Sequence, residues 1–201
     1  MAVAARRPGN VPCGIQIPDQ TGRHMRHVRV PRWCVAAFAI VLICLYGCSN
    51  REESNYVSEQ VGKVVVDRPR AWTSEIPVER PWSKGYRRAP ESVEQIQVSG
   101  DFGEFSTASQ AMGTLIGQAQ VGLQKFQVVQ SRDVTIKGAT TGRATRYTIT
   151  DNAGSQLSGE WFVAAHWPYP QSVAVSILTP QFDPDLERRI LESMELRPVL
   201  K

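Results

Sequence analysis

The side chains able to do chemistry fall into two unequal sets along the 201 residues. Cys13, Cys34, Cys44 and Cys48 all lie in the first quarter, so the remaining 153 residues have no thiol for nucleophilic attack, disulfide formation or metal binding. That later part has one histidine, His166, between Ala165 and Trp167. A histidine-rich zinc site needs more than one such ring. A Ser-His-Asp arrangement would have to run through this ring, in the middle of an apolar segment. No Gly-x-Ser-x-Gly elbow, phosphate loop or dinucleotide fingerprint is present. Asp183, Asp185 and Glu187 alternate as calcium ligands do, yet the loop glycine and closing bidentate acid of an EF-hand are missing. Capping and the helix dipole explain them with less. The expectation is a chain without catalytic, metal or cofactor chemistry of its own.

Binding chemistry is better represented. Trp82, Lys84, Tyr86, Arg87 and Arg88 stand together in a stretch bounded by Pro81 and Pro90. Prolines keep such a segment out of a sheet, and aromatic and arginine side chains suit a partner surface or an anionic one. Trp167 and Tyr169, in Trp167-Pro-Tyr-Pro170, are the other candidates, lining a small hydrophobic pocket.

The placement of charge excludes one class of partner. Residues 1–48 hold six arginines against Asp19, a net of +5, while residues 49–201 hold 17 Lys and Arg against 18 Asp and Glu. The overall charge of +4 therefore belongs to the first quarter, and the remainder lacks the electrostatic footprint of a nucleic-acid binder.

That first quarter reads as an export signal. Arg26, Arg29 and Arg32 precede an uncharged stretch from Trp33 to Gly47, about 22 Å of helix, where a bilayer span needs nearer ~20 residues. Leu45-Tyr-Gly-Cys48 resembles the lipobox of bacterial lipoproteins. The resemblance implies cleavage before Cys48 and a diacylglyceryl group on its thiol, although Tyr46 is bulkier than the usual residue there. The alternative is an uncleaved signal anchor. Residues 1–24, with three prolines and three glycines and no apolar period, fit no part of a signal. Either translation starts at Met25 or the segment is a disordered extension. Residues 48–60 read as a polar, flexible tether, and a domain is expected over 61–201.

The elements that must position the candidates follow from periodicity. Val61 to Val66 reads as one strand, and Val93 to Ser99 as another. Ser106 to Gln124 carries an apolar stripe of Ala108, Ala111, Met112, Leu115, Ile116, Ala119 and Leu123, with Ser106 or Thr107 as cap. Gly113, Gly117 and Gly122 interrupt it, as in a helix lying close on a sheet. Strands are expected over Phe126–Gln130 and Val134–Ile136, then around Tyr147, around Trp161 and over Ser172–Thr179, with one sheet face packed and the other partly wet. Asp183 caps a second helix whose buried stripe is Leu186, Ile190, Leu191 and Met194. The order predicts an α+β fold, an antiparallel sheet with two main helices packed on it.

Three pieces of this order, Val134-Thr-Ile-Lys-Gly138, Ala144-Thr-Arg-Tyr147 and the run from Phe182-Asp to Ser193, resemble the PsbP-like fold, and the chain is similar to actinobacterial lipoproteins of the LpqN type. The resemblance covers about residues 61–199 and rests on structural positions. It implies an extracytoplasmic, membrane-tethered interaction or assembly module of the cell envelope and transfers no catalytic residue. The alternative is a lipoprotein that binds a small apolar ligand or a lipid between helix and sheet.

Overall fold

The computed structural model describes residues 55–200. The extension, the signal and Cys48 lie outside the described residues.

Two hairpin strands come first, β1 (Tyr56–Val61) and β2 (Val64–Pro69), then β3 (Ser74–Glu75), β4 (Lys84–Arg87) and β5 (Gln95–Gly103). Helix α1 (Ala108–Gly122) precedes a meander of β6 (Gln127–Asp133), β7 (Thr141–Thr150), β8 (Gln156–His166) and β9 (Gln171–Thr179). Helix α2 (Pro184–Ser193) and β10 (Glu195–Leu196) close the described chain. Residues 56–60, expected as part of a flexible tether, instead belong to β1 and pair with β2. Val61 to Val66 is not one strand: Gly62, at φ +53°, turns the chain between β1 and β2. That turn lies against Gly100 of β5, where a Cβ would come within 2.1 Å of the Val61 carbonyl oxygen.

β3-β4-β5-β9-β8-β7-β6 form a seven-stranded antiparallel sheet, and β1-β2-β10 a small one. The architecture is the α+β class expected, but no large face of the main sheet is left wet. Alternation along β8 sends Leu157, Trp161, Val163 and Ala165 to one side, where they pack with Ala108, Ala111, Met112, Leu115 and Ala119 of α1. Phe162 and Ala164 point to the other, against Val64 and Val66 of β2 and Leu186 and Ile190 of α2. The helices therefore lie on opposite faces, and the small sheet completes the cover on the α2 side.

Local signals explain both helices. The Thr107 hydroxyl accepts from the Gln110 amide at 3.3 Å, and the Asp183 carboxylate accepts from the Asp185 and Leu186 amides at 3.0 Å. The α1 glycines differ from expectation: a Cβ at Gly113, Gly117 or Gly122 would meet nothing within 4 Å, so they do not serve close approach to the sheet. Strand β6 absorbs Ser131-Arg-Asp133, expected as a break, while Val134–Ile136 falls outside any strand. β6 pairs with β7 alone, so its polar side chains avoid burial on an edge.

Candidate functional site

The expected binding loop proves to be largely a strand. Lys84 to Arg87 form β4, paired with β5 in the register Lys84↔Val98 to Arg87↔Gln95. The Lys84 ammonium and the Tyr86 hydroxyl donate to Glu59 Oε1 at 2.7 and 2.8 Å, and Arg68 Nε donates to Glu59 Oε2 at 3.3 Å. The Arg68 guanidinium also lies 4.2 Å from the Tyr86 ring centroid, and that ring is buried. The hydrogen bond to Glu59 raises the Lys84 pKa. Burial works to raise the Glu59 pKa, but the bonds from Lys84 and Tyr86 outweigh it and hold the carboxyl below its ordinary value. Arg87 donates to Gln95 at 3.3 Å and to the Pro90 carbonyl at 3.3 Å. Arg88 pairs with Glu94 at 3.0 Å while remaining well exposed. Lys84, Tyr86 and Arg87 are thus committed to partners within the fold, while Arg88 holds an exposed ion pair.

Trp82 goes elsewhere. Its ring borders a groove of about 300 Å³ between α1 and the main sheet, with Leu115, Ala119, Leu123, Tyr147, Trp161 and Leu178 among the lining side chains. Two aromatic rings build its floor, Tyr147 and Trp161, with centroids 4.1 Å apart; Phe126, outside the lining, packs against both at 5.5 and 5.7 Å. Gly159, opposite Tyr147 in the β7–β8 ladder, makes this possible, since a Cβ there would sit 2.2 Å from the Tyr147 ring. Burial pushes the Tyr147 hydroxyl up to about 12, with Ser176 opposing. Gln95, Gln97 and Gln118 add uncharged amides to the lining. Apolar walls with a few neutral polar groups suit an uncharged or amphipathic guest.

Trp167 and Tyr169 stay exposed at the β8–β9 turn. They do not join this groove; Tyr169 borders a separate depression of about 390 Å³. His166 ends β8 with Nδ1 buried and without a hydrogen-bond partner, so no carboxylate orients its ring. Asp183 is engaged in capping, Asp185 pairs with Arg188 at 2.8 Å, and Glu187 pairs with Arg132 and Arg146. Among the described residues no three His, Cys, Asp or Glu side chains gather where one metal ion could sit.

Sequence reasoning missed one polar cluster. Arg132 of β6 bridges Glu160 of β8, at 3.2 Å, and Glu187 of α2. Arg146 of β7 reaches Glu187 at 3.1 Å and lies 3.3 Å from the Phe182 ring centroid. Burial first, and the Glu187 carboxylate second, push Glu160 up to about 7. Its neighbours Trp161 and Phe162 dominate the local pattern, which is why periodicity alone did not single it out.

No protein-family model matches the chain, and no characterised protein sequence matches it. Solved structures similar to it include the Ran-binding protein Mog1p of Saccharomyces cerevisiae, at 12% identity over 70% of this chain and 96% of that one, TM-score 0.47. Cyanobacterial PsbP from Synechocystis is similar at 12% identity over 70% and 91%, TM-score 0.48. LpqN, involved in cell envelope biogenesis of Mycobacterium tuberculosis, is similar at 13% identity over 73% and 94%, TM-score 0.47. Likeness at these values transfers neither a partner nor an activity to this chain. Among the described residues no helix is long and apolar enough to cross a membrane.

Proposed function

We propose that this protein is a non-catalytic binding module held on the extracytoplasmic face of a bacterial membrane by lipid on Cys48. The observation that carries the binding reading is the groove between α1 and the sheet, floored by Tyr147 and Trp161 and bordered by Trp82. An apolar cavity of about 150 Å³ takes up benzene, so about 300 Å³ suits a small apolar molecule or a short acyl segment. A small apolar ligand is therefore the occupant the geometry supports best. Capture of an envelope protein through Trp82–Arg88 loses support, because Lys84, Tyr86 and Arg87 are committed to internal partners. An envelope protein partner remains a second reading, favoured by the exposed aromatic turn at Trp167 and Tyr169.

One experiment addresses anchor and groove together. Cys48→Ser should release the protein from the membrane fraction or leave it as unprocessed precursor. The protein purified from membranes should enhance the fluorescence of the apolar probe N-phenyl-1-naphthylamine. Leu123→Glu places a charge at the rim and should weaken uptake about tenfold without lowering the unfolding midpoint. Unchanged uptake would remove the groove from the reading; normal trimming with full membrane retention in Cys48→Ser would remove the anchor.

A further inference from the structure

A second concentration of apolar surface lies at one end of the main sheet. Trp167 and Tyr169 in the β8–β9 turn are 55% and 44% exposed, and Val199 and Leu200 of the closing segment 51% and 68%. This surface is braced from beneath. The buried Gln171 side chain donates to the carbonyls of Val199 and Tyr169 at 2.9 and 3.4 Å and accepts from the Val199 amide at 3.0 Å. The Trp167 amide donates to the Thr140 hydroxyl at 2.8 Å. These bonds fix the backbone that carries the apolar side chains, so the surface needs little backbone ordering on binding.

Beside Tyr169 and Val199 the depression of about 390 Å³ is bordered by Pro170, Gln171, Lys63 and Glu104. Lys63 is engaged with Asp101 at 2.9 Å, whereas Glu104 is exposed and makes no ion pair among the described residues. The surface thus offers apolar platforms next to an uncompensated carboxylate.

Its position in the fold bears on what covers it. Tyr169 and Gln171 mark the end where β9 begins, about 27 Å along the strand from Thr179. The chain enters the domain at the other end. Tyr56 opens β1, which runs toward Lys63, and the Arg189 guanidinium of α2 lies 5.3 Å from the Tyr56 ring centroid. Cys48 is eight residues upstream of Tyr56, at most about 29 Å of fully extended chain. A lipid on Cys48 therefore draws the Tyr56 end toward the bilayer. Trp167 lies at the end of the domain away from that entry point.

We propose that this membrane-distal tip docks an extended segment of an envelope protein in which an aliphatic or aromatic side chain stands beside a lysine or arginine. The apolar side chain packs on Tyr169 and Val199, and the cation meets Glu104. This names the partner chemistry for the second reading above and rests on the anchored binding-module reading.

The test places the photo-crosslinking residue benzoylphenylalanine at Trp167, at Tyr169 and, as a comparison outside the tip, at Val129 of the edge strand β6, in the full chain in cells. Adducts are digested and sequenced by mass spectrometry. Positions 167 and 169, not 129, should give adducts converging on one protein segment, with a basic residue within about three positions of an apolar one. Glu104→Lys should cut adduct yield about tenfold at unchanged protein level. Adducts with lipid, with a second copy of this chain or scattered over unrelated proteins would overturn the proposal. So would the absence of adducts, or a yield indifferent to Glu104→Lys. Leu123→Glu should leave the yield at 167 unchanged, which separates this site from the groove. Adducts that persist while Cys48→Ser stays membrane-bound would support the tip and sink the anchor alone.

Discussion

At the scale of single residues, the most informative side chain is Glu160, a carboxylate 1% exposed and facing Arg132 of β6, Arg146 of β7 and Glu187 of α2. Its folded-state pKa is pushed up to about 7 from 4.5, so between those values the folded state holds a proton that the unfolded chain has released. The stabilisation from that proton is fully present below about pH 4.5 and is lost as pH rises through about 7. Glu160→Gln cannot lose it. The stability of the variant minus that of the parent should therefore rise from pH 5 to pH 7.5 in urea titrations; a difference that stays flat would show that Glu160 is ionised throughout. Trp161 belongs to the opposite face. It is 4% exposed and packs in one cluster with Leu115, Ile116 and Tyr147, as its place in the β8 alternation predicts. Trp161→Ala should cost about 3–5 kcal/mol and abolish probe uptake with it. A loss below about 1 kcal/mol would place that face in solvent.

At the scale of elements, α1 carries a cost with no packing return. Gly113 and Gly117 are exposed, and an added methyl would touch nothing. Gly117→Ala should raise stability by about 1 kcal/mol, read as a higher denaturation midpoint with unchanged slope. No gain would mean that the helix strains at that turn. β4 illustrates the opposite case. Its composition of cations, aromatics and a glycine between prolines reads as a surface loop, yet Glu59 of β1 draws Lys84 and Tyr86 together and β5 supplies a ladder. A polar segment becomes structural when its partners arrive from 25 and 27 residues away.

At the scale of the whole molecule, two hydrophobic clusters share one sheet. Phe162, Ala164, Val173 and Val175 serve the α2 side, while Trp161, Val163, Ala165 and Ala174 serve the α1 side, alternating along the same two strands. Neither layer can be lost without exposing the back of the other's strands. Unfolding followed by tryptophan fluorescence, weighted to the α1 side, and by far-ultraviolet circular dichroism should give coincident midpoints. Separate transitions would show that the β1-β2-β10 sheet and α2 melt on their own.

Features encoded within a few neighbouring residues were legible before the fold was known. The caps at Thr107 and Asp183, the α1 and α2 stripes, the two-residue alternation of β7 to β9 and the turn after Thr150 all come from local periodicity and side-chain chemistry. The absence of thiols after Cys48, with its consequence that packing alone must hold the domain, is equally plain. The tertiary structure alone decided where those elements meet. The tie of β4 to Glu59 of β1, docking of the Gly62 turn on Gly100, the Arg132–Glu160–Glu187 network and the groove beneath α1 each join residues far apart in the chain. Trp82 and Tyr147 lie 65 positions apart and border one groove because α1 and the sheet come together there. Periodicity reports which face of an element is apolar; only packing decides which apolar faces close on each other and where a gap between them is left open.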